Sequence, residues 1–321
     1  MLHVEVTSPT GLTDDVVAVL TRSPAVTSLT VARGVVLEPP GDVVSADFPR
    51  ESANGVLSRL LETGVQNEGA VRVEAVSTWV SRPAFDAMVE APGASSDAIV
   101  WPSVVQRAYD DSELNWSYLA FMTLATIIAA IAIVVDSQIL VIGAMVLGPE
   151  FGAIAALGVA LIRRRRTLLQ AAVRALVVGF AVAIALTTLL AFSARMRGII
   201  TLADVSGPRP GTAFIYSPDR WSFIVAIIAG IAGVLSITSQ RTGGLVGVFI
   251  SVTTIPAAGN IALATAFADW AEVRGSVAQL VVNILGMALA GWATLALQRE
   301  LWSRNGLVRR FRRRAVDDPH G

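Results

Sequence analysis

One glutamate, Glu150, lies near the middle of an otherwise apolar stretch, Ile139–Ile162. Because ~20 apolar residues suffice to cross a bilayer, this stretch predicts a membrane span. An ionised carboxyl group at that depth costs roughly 3 kcal/mol or more, and such groups mark ion and proton pathways. Glu150 therefore either carries a proton, holds a cation, or is a protonated acid that satisfies backbone groups freed by a helix break.

The residues around Glu150 predict that break. Proline lacks a backbone N–H and clashes with the preceding turn, so the helix should be interrupted at Gly148-Pro149. Pro149 is then expected at the first position of a second half-helix, with Glu150 and Gly152 in its first turn. Backbone freed at this depth persists only inside protein or beside a wet cavity, which indicates a helical bundle.

A second proline, Pro256, lies in a later apolar stretch and has uncharged polar neighbours. Those neighbours either bind a polar solute or satisfy backbone freed by the proline, and Asn283 either joins them or bonds a neighbouring helix. We expect the site for a solute or ion to be formed by residues from both stretches: Gly148, Pro149, Glu150, Gly152, Thr253, Thr254, Pro256, Asn260 and Asn283.

The composition is that of a membrane protein: 54% of the 321 residues are hydrophobic and the mean hydropathy is +0.62. The chain has no cysteine, and its two histidines, His3 and His320, lie at opposite ends. These absences argue against a zinc site and against Ser/His or Cys/His catalysis. We therefore expect no enzyme activity, no cofactor and no metal centre.

Six apolar stretches predict a polytopic helical membrane domain over residues 117–298. Of the arginines from Arg163 onward, thirteen would lie on the side of the N-terminus and five on the other. The positive-inside rule then places both termini in the cytoplasm of a multi-pass plasma-membrane protein, with a basic cytoplasmic tail at 299–321. The predicted spans are Ser117–Val135, Ile139–Ile162, Ala175–Phe192, Trp221–Ile237, Leu245–Phe267 and Val277–Leu297.

The two halves of this domain, 117–192 and 221–298, resemble each other in sequence. A three-span unit reverses direction each time it is repeated, so the halves should form a 3+3 inverted repeat with proline-broken second and fifth spans. The two prolines could also be packing kinks only. Three matched pairs keep their order along the chain: Ile127–Val135 with Ile227–Leu235, Pro149–Ala155 with Pro256–Ala262, and Leu176–Val178 with Leu280–Val282.

The first 80 residues predict a separate α+β domain. Alternating apolar residues indicate strands at Leu2–Thr7, Val26–Leu37, Asp42–Phe48 and Val71–Val80, and helical spacing indicates helices at Thr13–Leu20 and Ser52–Leu61. The resulting order β-α-β-β-α-β is that of a ferredoxin-like fold, here on the cytoplasmic side. Residues 81–116 are expected to form a linker and an interfacial elbow helix.

Two functions fit these features. The first is a secondary transporter or channel for a small polar solute or ion, with its site at the midplane near the two proline breaks. The second is a membrane-anchored sensor or scaffold whose cytoplasmic domain binds a ligand or partner. The expected partners are the lipid bilayer, an unknown small solute or ion, and further copies of this chain in a homo-oligomer; no nucleic acid is expected.

Part of the second predicted span resembles a bacterial family. Asp136-Ser137 and Val141-Ile142-Gly143-Ala144-Met145, followed by Pro149 and Gly152, are similar to the pattern of the hydrophobic-domain membrane family called domain of unknown function 389. The resemblance implies a membrane protein of the bacterial inner membrane. It implies no activity and no functional residue, because none is established for the family.

Single-cysteine labelling tests the predicted orientation, because the chain has no cysteine of its own. An impermeant maleimide added outside intact cells should label a cysteine placed near Gly207 and should not label one placed near Arg164. Labelling of the first position only after the cells are permeabilised would reverse the orientation.

Overall fold

The computed structural model describes residues 1–91, 98–207, 209, 211–212, 215, 220–239 and 253–316. The chain forms two compact units. The first consists of Met1–Trp101, which we call the N-terminal unit, together with Leu301–Gly321, and the second, the membrane unit, consists of Pro102–Glu300.

The N-terminal unit has the predicted order of strands and helices. Each strand alternates side chains between two faces, so β1 buries Leu2, Val4 and Val6 on one side. The elements are β1 Leu2–Ser8, α1 Thr13–Thr21, β2 Ser28–Leu37, β3 Pro40–Phe48, α2 Ala53–Glu62 and β4 Ala70–Ala75. The last strand ends five residues before the predicted boundary at Val80.

The four strands form one antiparallel sheet in the order β2-β3-β1-β4. β1 is central, and its Val4 lies opposite Ala46 of β3 and Val73 of β4. Val16 and Leu20 of α1, together with four residues of α2, share one apolar core with the buried side chains of the sheet. The sheet thus has a buried face and an open face.

Residues beyond Val80 complete this unit. The predicted linker contains a helix, α3 Arg82–Glu90, and Ser81 caps it by accepting a hydrogen bond from the Ala84 N–H. Val100 lies in the same apolar core. Asn54 Nδ2 donates to the Ile99 carbonyl at 2.6 Å, and the Trp101 N–H donates to Asn54 Oδ1 at 3.1 Å. The compact unit therefore extends to Trp101, where the helix α4 Trp101–Asp110 begins.

The membrane unit is helical. Four helices in the described ranges are long and apolar enough to cross a membrane, or five if α6 and α7, bent by 53° at their junction, count as one span. The helices are α5 Trp116–Val134, α6 Gln138–Leu147, α7 Glu150–Arg163, α8 Arg166–Met196, α9 Leu202–Ser206, α10 Arg220–Ser239, α11 Thr254–Ala266 and α12 Trp270–Val316.

Two of the predicted spans differ from these helices. The predicted fifth span, Leu245–Phe267, is represented by α11 alone, because its first part lies outside the described residues. The predicted sixth span and the start of the basic tail form one continuous helix, since α12 runs to Val316. The helical pattern of the apolar segment therefore continues past Leu297, into residues that are polar and basic.

The short helices α7 and α11 are buried along almost their whole length, whereas less than half of each long helix is buried. Gly259 lets α11 approach α5 closely, because a Cβ at that position would lie 2.9 Å from the Ala130 nitrogen. Gly158 does the same for α7 and α12, since a Cβ there would lie 3.1 Å from the Trp292 nitrogen. Long helices therefore surround both short ones.

The boundary of the N-terminal unit can be tested with fragments. Met1–Trp101 should unfold cooperatively in urea, and Met1–Val80 should be less stable by roughly 1.5–3 kcal/mol from the lost burial of Val100 alone. Within the longer fragment, Val100→Ala should lower the circular-dichroism midpoint, whereas Val89→Ala, at a residue 65% exposed on α3, should not. Equal midpoints for the two fragments would contradict the extended boundary.

Candidate functional site

The second predicted span is broken at Gly148-Pro149, as the sequence predicts. The Gly148 N–H makes the last α6 hydrogen bond, to the Ala144 carbonyl, and α7 begins at Glu150. Pro149 is the N-cap of α7 and not its first helical residue, so that detail of the prediction is wrong by one position. Since the first turn of a helix has unpaired N–H groups, Pro149 and Glu150 stand at the positive end of α7.

The Glu150 carboxyl group joins the starts of α7 and α11. Its Oε1 accepts a hydrogen bond of 2.7 Å from the hydroxyl of Thr254, the first residue of α11. Glu150 is only 5% exposed, and within the described part of the chain its Oε2 has no hydrogen-bond partner. A buried carboxyl group therefore lies where the positive ends of two buried helices meet.

Two amide side chains of α12 lie beside the same end of α11. Asn283 Nδ2 and Gln279 Nε2 donate to Thr253 Oγ1 at 2.8 and 3.1 Å. Residues four apart on a helix share a face, which explains why both reach one hydroxyl. Both side chains are buried, and neither amide oxygen has a partner among the residues that the structure describes. Thr253 and the two amides thus adjoin the Thr254–Glu150 pair.

We call this set of five residues the helix junction: Glu150, Thr253, Thr254, Gln279 and Asn283. Four of them were predicted from the sequence as site residues, and Gln279 was not. Its spacing of one helical turn from Asn283 is the signal that could have found it. Gly148 lies beside the junction and packs closely against it. A Cβ at Gly148 would collide with Glu150 Oε2 and lie 2.6 Å from Ile255 Cγ1.

Pro256 lies near the junction without breaking α11. It is the third residue of the helix, in the first turn, where a missing N–H costs no hydrogen bond. Gly152 lies in the first turn of α7, where a Cβ would be 2.7 Å from the Asp111 Cβ. Both residues shape the approach of neighbouring backbone and offer no polar side chain.

Asn260 lies outside the junction, although it was predicted as part of one site. It is six residues beyond Thr254, about 9 Å along the helix. It belongs to a group of four polar residues around Arg209, which we call the arginine cluster: Arg209, Asn260, Glu272 and Ser276. Its Nδ2 donates to Glu272 Oε2 at 3.1 Å and to Ser276 Oγ at 2.9 Å. Arg209 completes the cluster with a 2.7 Å ion pair to Glu272 and a 3.4 Å hydrogen bond to Asn260 Oδ1.

Replacement of Gly148 tests whether the junction depends on its close packing. Gly148→Ala should displace the Glu150 carboxyl group or Ile255 and destabilise the protein by about 1–3 kcal/mol. Gly143→Ala is the matched control in the same helix, because nothing lies within 4 Å of a Cβ there. Thermal unfolding in detergent would measure both, and equal melting temperatures for the two variants would contradict the packing described.

A comparison with protein families finds one match. Residues 145–289 match the family described as "Domain of unknown function (DUF389)", and this range contains every residue of the helix junction. Among curated proteins and among solved structures, none matches the chain. Residues 145–289 are therefore similar to the family described as domain of unknown function 389, which confirms the resemblance seen in the sequence.

Proposed function

We propose that the protein is a secondary transporter or channel for a small polar solute or ion, and that the helix junction is its binding site. The observation that carries this proposal is Glu150, a buried carboxyl group with one unpartnered oxygen at the meeting point of α7 and α11. The protein spans the bacterial inner membrane six times in this proposal, with both termini in the cytoplasm.

The energetics of the bilayer favour a functional role for Glu150. An acidic group costs roughly 3 kcal/mol or more at membrane depth, and such groups mark ion and proton pathways. Helices that start or stop inside a bilayer are tolerated where they are buried in protein or line a cavity. In known transporters, such half-helices direct their positive ends at bound anionic groups and their carbonyl ends at cations.

An inverted repeat is supported by the ends of α7 and α11. Both helices are followed within two residues by a residue of positive φ, Arg164 at 53° and Ala268 at 58°. The next residue in each case bonds back to the same position, Arg165 to the Ala160 carbonyl at 3.0 Å and Asp269 to the Ala264 carbonyl at 2.9 Å. These pairs are all 104 residues apart, the spacing at which the third and sixth predicted spans also match in sequence.

The packing of the short helices is also reciprocal. α11 packs on α5 and α8, the long helices of the first half. Gly158 of α7 contacts α12, and a Cβ at Gly233 of α10 would collide with the Phe151 ring of α7. Each short helix thus contacts the long helices of the other half, as a two-fold relation between the halves requires.

The alternative function, a membrane-anchored sensor or scaffold, has one observation in its favour. The strand order β2-β3-β1-β4 supports a ferredoxin-like fold for the N-terminal unit. A groove of about 460 Å³ on this unit is lined by charged and polar side chains, among them Glu5, Glu38, Glu68 and Arg72. The sensor or scaffold function is our second candidate, because such grooves are common on small domains and because it gives Glu150 no role.

Flux through proteoliposomes tests the transporter proposal. Vesicles containing the purified protein should admit at least one member of a panel of alkali chlorides, ammonium chloride, small carboxylates and polyols faster than protein-free vesicles. Glu150→Gln should lower that rate about tenfold or more, which corresponds to roughly 1.4 kcal/mol on the barrier.

Glu113→Gln is the matched control, because Glu113 is an exposed acid that precedes α5. Its flux should equal that of the wild type. Flux of no solute in the panel, or equal flux in the Glu150→Gln variant, would contradict the proposal.

A further inference from the structure

We propose that the helix junction binds one monovalent alkali cation through Glu150 Oε2, Gln279 Oε1 and Asn283 Oδ1. Only the role of this cation, as the transported or coupling ion, rests on the proposed function. The structural basis of the site is separate: three buried oxygen acceptors, on side chains that bond Thr253 or Thr254 at the start of α11, have no hydrogen-bond donor among the described residues.

Hydrogen bonds bring the three acceptors to the same turn of α11. Gln279 and Asn283 both bond Thr253 Oγ1, so their amide groups flank one point. Thr254, the adjacent residue with its Cα about 3.8 Å away, holds the Glu150 carboxyl group. The carboxyl group and the two amides therefore bond the side chains of adjacent residues at the start of α11.

The chemistry of the acceptors points to a cation. Each amide nitrogen donates one N–H to Thr253, so the amide oxygens face away from that bond and remain to accept or to coordinate. An unsatisfied buried acceptor is costly, and carboxylate and carbonyl oxygens are ligands of hard cations. The C-terminal carbonyls of α6, which lack intrahelical partners, lie next to Glu150 in the chain and add partial negative charge.

The charge of the set favours a monovalent ion. Glu150 supplies one negative charge, and the amides add oxygens without charge. In the described ranges, no salt bridge involves Glu150. A proton on Glu150 would give a donor to one neighbouring oxygen, whereas a cation satisfies all three at once.

Thermal unfolding of the full-length protein in detergent tests the site without any measurement of flux. The probes are NaCl and KCl, each compared with choline chloride at the same ionic strength and pH. At about ten times the dissociation constant, at least one alkali chloride should raise the melting temperature by about 3–5 °C, and the rise should saturate.

Variants identify where the ion binds. Glu150→Gln and Gln279→Leu should lose the rise, whereas Glu150→Asp, which keeps the charge, should retain it at a higher ion concentration. Gln298→Leu is the matched control: Gln298 is on the same helix, bonds a threonine (Thr238) and has a buried unpartnered oxygen, but lies far from the junction. Its rise should equal that of the wild type.

Three results would overturn the inference: equal melting temperatures in all three salts, a rise that Glu150→Gln retains, or a stability that responds to pH but not to the choice of cation. The last result would identify a proton as the bound species. Flux without a saturable rise in melting temperature would reject the cation site and leave the proposed function intact. A saturable rise without flux would support the cation site and contradict the proposed function.

Discussion

The hydrogen bond between Thr254 and Glu150 is the contact on which the membrane unit depends. It joins the first residues of two buried helices whose positive ends would otherwise face each other without compensation. A carboxylate between them offsets both partial charges, which explains why an acid is tolerated there. Gly148 makes the contact possible, because any larger residue would occupy the space of the carboxyl group.

The helix α11 is held at its other end by charge of the opposite sign. Arg195 of α8 donates to the Ala266 carbonyl at 2.7 Å, and its guanidinium lies 5.0 Å from the centre of the Phe267 ring. A cation at the carbonyl end and a carboxylate at the amide end both complement the helix dipole. Between these ends, the arginine cluster satisfies Asn260. This buried short helix is thus held at both ends and at Asn260 by polar contacts from neighbouring residues.

The sequence was sufficient to predict the features that depend on local chemistry. Proline and glycine at Gly148-Pro149 predicted the break in the second span, and alternation of apolar residues predicted the strand and helix order of the N-terminal unit. Contacts between residues far apart in the chain were harder to predict. Glu150 and Thr254 are 104 residues apart, and only the repeated proline pattern suggested that they are related.

Other features had no local signal. Asn260 has the same amide side chain as Asn283, but it hydrogen-bonds to Arg209 and Glu272, which form an ion pair. It therefore belongs to the arginine cluster and not to the helix junction. Val100 lies beyond a stretch rich in proline, glycine and serine, so the periodicity of the sequence does not predict its place in the core of the N-terminal unit.

Infrared difference spectroscopy of the protein in lipid, on exchange of choline for Na⁺ or K⁺, tests most directly whether the Glu150 carboxyl group contacts a bound ion. We predict a carboxyl difference band that Glu150→Gln abolishes and Glu113→Gln preserves, and a spectrum without that band, or one that Glu150→Gln leaves unchanged, would contradict the account.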